Sequence, residues 1–357
     1  APMTINVPNG SLLMQAASGS IGGSPGSSNF YGDVRIANFS TGANSTITIN
    51  VGGDVRLTAG SGPNCNATIY AGDVGVVAPI ALTIGGNLFQ TAGSNVSCSS
   101  QILGNRAVTL QITGDHVLKC QTSFPANFLG STGCIAFVQS FASSGTGISA
   151  TIGGNLLMTA GIRANNGCAL VNQNNANMTV SVGNQTTKAG DVILTAGPTL
   201  RGQAAIALNG SGTLNLSIGG HFIATAAATG YEGWAGISTG LNTVSPTLNI
   251  GPVGGNIILN ANGYNYAIIG YGGQDSTLAP VGTNATVINI SNVGGDIILN
   301  GATNASISPL YALSLLSTLG GGQTNRIAAT GGMAMIGNLN PPQSGQTLGG
   351  NISVTCN

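Results

Sequence analysis

Eight carboxylates, two histidines and six cysteines carry most of the chemistry open to this 357-residue chain. Cleaving a polysaccharide needs paired acids, or Ca²⁺-binding acids beside a base, converging on one face. Asp33, Asp54, Asp73, Asp115, Asp191 and Asp296 instead each follow a glycine in a similar context, where Asn87, Asn155 and Asn256 also occur. A position that accepts either Asp or Asn caps a turn through its side-chain oxygen and supplies no proton. Glu232 and Asp275 remain, and they are too far apart in sequence to share one repeat. His221 takes the same glycine-following position, and His116 lies one residue past Asp115, with no H-E-x-x-H spacing around either. No G-x-S-x-G is present, and Gly320-Gly321-Gly322 lacks the Lys-Ser/Thr of a phosphate loop. The residues therefore predict no enzyme and no cofactor or metal site.

Composition narrows the partners. Charged residues make up 4% of the chain, with eight basic and eight acidic, so there is no electrostatic footprint for nucleic acid. No uninterrupted apolar stretch approaches the roughly 18 residues of a spanning helix, so membrane insertion is not expected either. Few titratable groups also imply a folding stability nearly flat from mild acid to mild base. The start, Ala1-Pro2-Met3, resembles a mature chain after signal-peptide removal and predicts an extracellular or cell-surface protein.

A repeat must position these residues. V-G-G-D-V-R-L-T-A-G at residues 51–60 returns as I-G-G-N-L-F-Q-T-A-G at 84–93 and I-G-G-N-L-L-M-T-A-G at 152–161, with variants to residue 301. Its marker is Asp54, Asn87, Asp115, Asn155, Asp191, His221, Asn256 and Asp296, spaced by 28 to 40 residues. An alternating strand pattern precedes each double glycine, a second starts at the marker, and a third follows a variable loop. The double glycine is expected to turn the corner with positive φ. Three short strands per repeat predict an all-β, right-handed parallel β-helix of about ten coils stacked roughly 4.8 Å apart. One domain is expected over 1–357: N-terminal coils at 1–44, regular repeats at 45–300 and irregular coils at 301–357.

Three features could act at the surface or between coils. Cys65, Cys98, Cys134 and Cys168 lie before or at the third strand of four consecutive coils, and stacking predicts at least one disulfide between adjacent members. Cys120 and Cys356 take a small inward position held elsewhere by Ala59, Ala92 or Ala160, and Cys120 reads as a small buried residue. Two residues past the marker the strand should face outward, yet it carries Phe89, Val117, Leu157, Ile193, Ile223, Ile258 and Ile298. Such a row is either covered by the variable loops or a lateral contact surface. Tyr231, Trp234, Tyr264, Tyr266 and Tyr271 cluster in adjacent repeats, as a ligand patch or as loop packing.

The G-G-N/D-L-x-L-T-A-G repeat resembles bacterial β-helical surface exoproteins of the filamentous-haemagglutinin and autotransporter-passenger kind, over about residues 45–355. The resemblance implies a secreted rod and leaves two classes. One is a structural subunit whose partner is itself, joined head to tail through Thr4, Ile5, Val7 and Leu12 at one end and Ile352, Val354 and Cys356 at the other. The other is an adhesin that binds glycans.

Overall fold

A computed structural model describes residues 1–17, 32–38, 46–62, 65–72, 78–93, 98–120, 135–161, 167–197, 202–228, 233–239, 245–263, 265–271, 284–301, 334–338, 348–349 and 352–356. Its strands form three long parallel sheets of ten, nine and nine strands, each taking one strand from successive repeats. The chain is a parallel β-helix of about ten coils. The first sheet runs from Met3–Val7 through Ile47–Val51, Thr146–Ile152 and Val287–Val293 to Ile352–Cys356. The second runs from Leu12–Gln15 through His116–Cys120 to Ile297–Asn300, and the third from Val34–Asn38 to Ala334–Asn338.

Alternation in sequence becomes alternation in burial. Ile47, Ile49 and Val51 are buried while Thr48 and Asn50 between them are half-exposed, and most strands repeat that pattern. Because the strands pair residue by residue, each inward side chain stacks on its counterpart one coil away: Ile47 on Ile80, Ile80 on Val108, Val108 on Ile148. One contiguous apolar core results, running from Met14 to Val293. Each fully buried Val, Leu or Ile contributes roughly 1.5–3 kcal/mol against the entropy of ordering the chain. A hydrophobic period of two in sequence thus suffices to orient every coil.

The glycine corners are built differently from the expectation. None of Gly52, Gly53, Gly85, Gly86, Gly153, Gly154, Gly219, Gly220, Gly254, Gly255, Gly294 and Gly295 has positive φ. What they lack room for is a side chain. A Cβ on Gly85, Gly153, Gly219 or Gly254 would overlap the backbone carbonyl oxygen of Gly52, Thr113, Ala189 or Gly219 in the preceding coil. A Cβ on the second glycine would strike the preceding coil's marker side chain: Asp54 at Gly86, Asp115 at Gly154, Asp191 at Gly220, Asn256 at Gly295. Positive φ does appear where the pair is split by Asn184–Ala189: Gly183 at 68° and Gly190 at 98°.

Candidate functional site

The marker residues form one continuous hydrogen-bonded ladder along the corner between the first and second sheets. Each marker side chain from Asp54 to Asn256 accepts the backbone N–H of the marker one coil on. Asn87 donates to Asp54 Oδ1 at 2.9 Å, Asp115 to Asn87 at 2.8 Å, Asn155 to Asp115 at 2.7 Å and Asp191 to Asn155 at 2.8 Å. His221 donates to Asp191 at 2.7 Å, Asn256 to His221 Nδ1 at 2.9 Å and Asp296 to Asn256 at 2.9 Å. Ser11 Oγ begins the series by accepting from Asp54 N–H at 3.0 Å. As an acceptor, His221 Nδ1 must be unprotonated, which places the proton of the neutral ring on Nε2. The backbone N–H of Asn87, and after it the nearby Arg56, holds the Asp54 carboxyl below the usual carboxylate range. These acids hold coils together.

The order of residues in the ladder matters too: no two Asp markers are adjacent. Where Asn follows Asp, its Nδ2 also donates to the preceding carboxylate, Asn87 to Asp54 at 3.1 Å and Asn155 to Asp115 at 3.0 Å. Asn155→Asp would line up three carboxylates at 115, 155 and 191. We expect it to cost about 1–2 kcal/mol at neutral pH and low salt, given Coulomb repulsion at one coil spacing near the surface. Asp191→Asn should stay within roughly 0.5 kcal/mol. Urea midpoints at low and high salt check this; a midpoint for Asn155→Asp that ignores salt would contradict it. A shorter ladder precedes the third sheet. Asp33 Oδ1 accepts from Asn66 N–H at 2.7 Å, and Asn66 Oδ1 from Ser99 N–H at 2.8 Å. Sequence reading missed it because the variable loops hide its register, although Gly32-Asp33 was the available signal.

The four-cysteine ladder keeps Cys65 in line with Cys98, two residues before the paired Ala67 and Ser100, but does not extend to Cys168. Cys168 pairs in register with Ala136, not Cys134, because Gly167 stands opposite Ile135. Cys65, Cys98, Cys120 and Cys168 are buried thiols, and Cys134 and the side chain of Cys356 lie outside the description. The Cys98 thiol donates to the Gly62 carbonyl at 2.7 Å. Cys168 approaches Cys120 instead, with the two sulfurs 3.4 Å apart. Nearby, His116 is fully buried where other coils carry Leu88 or Leu156. Its Nε2 lies 2.9 Å from Gln90 Oε1, and the Gln90 amide donates to the Phe137 carbonyl at 3.0 Å.

The outward row is where alternation puts it. Phe89, Val117, Leu157, Ile193, Ile223, Ile258 and Ile298 pair in one register column of the second sheet, and all are half-buried. Arg56 caps this column with its guanidinium 4.1 Å from the Phe89 ring centre. The aromatic cluster, by contrast, loses its centre. Trp234 is 1% exposed and packs with Ala205 and Ile268, flanked by Ala169, Tyr266 and Met335, in a second apolar cluster. Tyr231, Tyr264 and the side chain of Tyr271 lie outside the described residues.

Among the described residues, no group of three His, Cys, Asp or Glu side chains could hold a metal ion, and no helix is long and apolar enough to cross a membrane. The fold and its ladders define a parallel β-helix whose polar groups serve coil-to-coil bonding. No protein-family model, no curated protein and no solved structure matches this chain.

Proposed function

We propose that the chain is an extracellular structural protein, a rod that stacks with further copies of itself in a surface fibre or layer. The observation that carries this reading is the state of the inward columns on their last described strands. Ile352 and Val354 continue the core columns of Ile288 and Ile290, yet are 53% and 46% exposed; Leu299, which continues Leu259, is 47% exposed. On the first described strands, Met3, Ile5 and Val7 stand in register with Ile47, Ile49 and Val51, and Leu12 with Val55. Docking Met3–Val7 of one copy on Ile352–Cys356 of another repeats the parallel pairing already used between coils. It covers apolar side chains and satisfies open backbone groups together. Such a contact is heterologous and propagates. The low charge leaves little repulsion against it.

Two further observations favour this reading over the glycan-binding adhesin. Among the described acids, Asp33, Asp54, Asp115 and Asp191 are occupied in ladders, and Trp234 is buried. Electron microscopy of the purified chain tests it: filaments are expected, and Ile352→Asp with Val354→Asp should abolish them while leaving circular dichroism unchanged. Monodisperse monomers at high protein concentration would refute it.

A further inference from the structure

We propose that Cys120 and Cys168 form a disulfide in the oxidised protein, a covalent staple between the second and third sheets of successive coils. Their sulfurs lie 3.4 Å apart, and closing to about 2.05 Å needs small side-chain rotations, not movement of a coil. Cys120 ends His116–Cys120, and Cys168 is the second residue of Gly167–Asn172. Both are wholly buried.

The columns that hold them make the coincidence informative. Cys120 stands in register with Ala92. Cys168 stands in register with Ala136 and Ala204, in a column that continues through Ser100 and Ala67 on one side and Ala235, Ala267 and Ala334 on the other. Both columns need only small side chains. If cysteine served merely as a small buried residue, nothing would tie its appearance in one column to its appearance in the other. Yet the two occur where the columns bring their sulfurs together. The pair has no third metal-ligating partner among the described residues. Each sulfur also lies 3.2 Å from a carbonyl oxygen, Gly167 O at Cys120 and Thr159 O at Cys168.

The chemistry needs a two-electron oxidant, and a low-molecular-weight disulfide supplies it. One of the two thiols, as a thiolate, attacks one sulfur of the reagent, forming a mixed disulfide and releasing one reagent thiol. The other then loses its proton and attacks the protein sulfur of that mixed disulfide, displacing the second reagent thiol. Two protein thiols become one disulfide, and one reagent disulfide becomes two thiols. Because both sulfurs are buried in the finished fold, the exchange belongs to folding, as the coils stack. The bond spans a complete coil, including Ile135–Ser140, Thr146–Ile152 and Leu156–Thr159, and restrains that segment in the unfolded chain.

The test is to refold the whole chain in a glutathione redox buffer, alkylate in denaturant and map peptides without reduction. A peptide pair joining Cys120 to Cys168, lighter by two hydrogens, is expected. So is a fall in Tm of several degrees on reduction. Cys120→Ala places the residue of Ala92 in its own column and should fold, as far-UV circular dichroism would verify. It should lose the linked peptide and the redox dependence of Tm, and Cys168→Ala should do the same. Recovery of both cysteines alkylated in the folded wild-type chain would overturn the proposal. Linkage of Cys168 to Cys134 would overturn it equally, and neither outcome depends on whether the rods form fibres.

Discussion

Gly153→Ala is expected to cost about 3 kcal/mol or more and to lower the urea midpoint of the whole rod. The new methyl group would occupy the place of the Thr113 carbonyl oxygen one coil below. That oxygen is fixed, because Gly153 N–H donates to the adjoining Ile112 carbonyl at 2.7 Å. Relief therefore requires the two coils to separate, weakening the neighbouring pairs Leu110–Ala150 and Ile112–Ile152 as well. Gly167→Ala is the matched control. It also sits in a coil interior, but its Cβ would meet nothing closer than Gln203 O at 3.6 Å. It should change stability by less than roughly 0.5 kcal/mol, or raise it slightly by stiffening the unfolded chain. Equal effects from the two substitutions would refute the close-approach account of the corner glycines.

This contrast marks the boundary of what a single chain reveals. The repeat in G-G-N/D announces coils, strand order and inward faces, because those follow from a period of two within a coil. Val55 and Leu57, or Leu156 and Met158, could be assigned to the core from alternation alone, and all four are buried. The reason for two glycines lies in the neighbouring coil. One makes room for a carbonyl and the next for the marker side chain, so local turn chemistry pointed to positive φ where stacking was the cause.

Cysteine and aromatic placements were harder to read for a related reason. Variable loops separate the second and third strands, so counting residues could not show which residue stands opposite Cys168. Register could: it is Ala136. Trp234 and Tyr266 also face each other across coils, but their burial depends on packing outside the third sheet, which strand alternation does not encode. The His116–Gln90 contact had a usable signal. Aligning the repeats puts Gln90 opposite Leu57 and Leu118, and His116 opposite Leu88 and Leu156. Two polar residues at aliphatic positions of adjacent coils must find each other.

That pair overturns the expectation of a flat pH profile. We expect the rod to lose about 3 kcal/mol between pH 7 and pH 4, seen as a fall in urea midpoint at constant slope. His116 uses Nε2 toward Gln90, while its Nδ1 has no hydrogen-bond partner and no solvent contact. A proton on Nδ1 would create an unpaired buried charge, and burial lowers the pKa to about 3. In the unfolded chain the ring titrates near its ordinary value of about 6.5. As pH falls below that value the unfolded state gains a proton that the folded state refuses, so the stability present above about 6.5 drains away until the folded pKa is reached. Asp54 shifts stability in the same direction through its lowered pKa, but its exposure keeps that share small. Replacing His116 and Gln90 together with leucine, the residue of their neighbouring coils, should remove most of the slope between pH 6.5 and 4. His116→Leu alone should also remove it, but should stand about 1–3 kcal/mol below the double variant at every pH, because the buried Gln90 oxygen loses its donor. A wild-type midpoint unchanged from pH 7 to pH 4 would mean that the ring is already protonated when folded, or exposed to water.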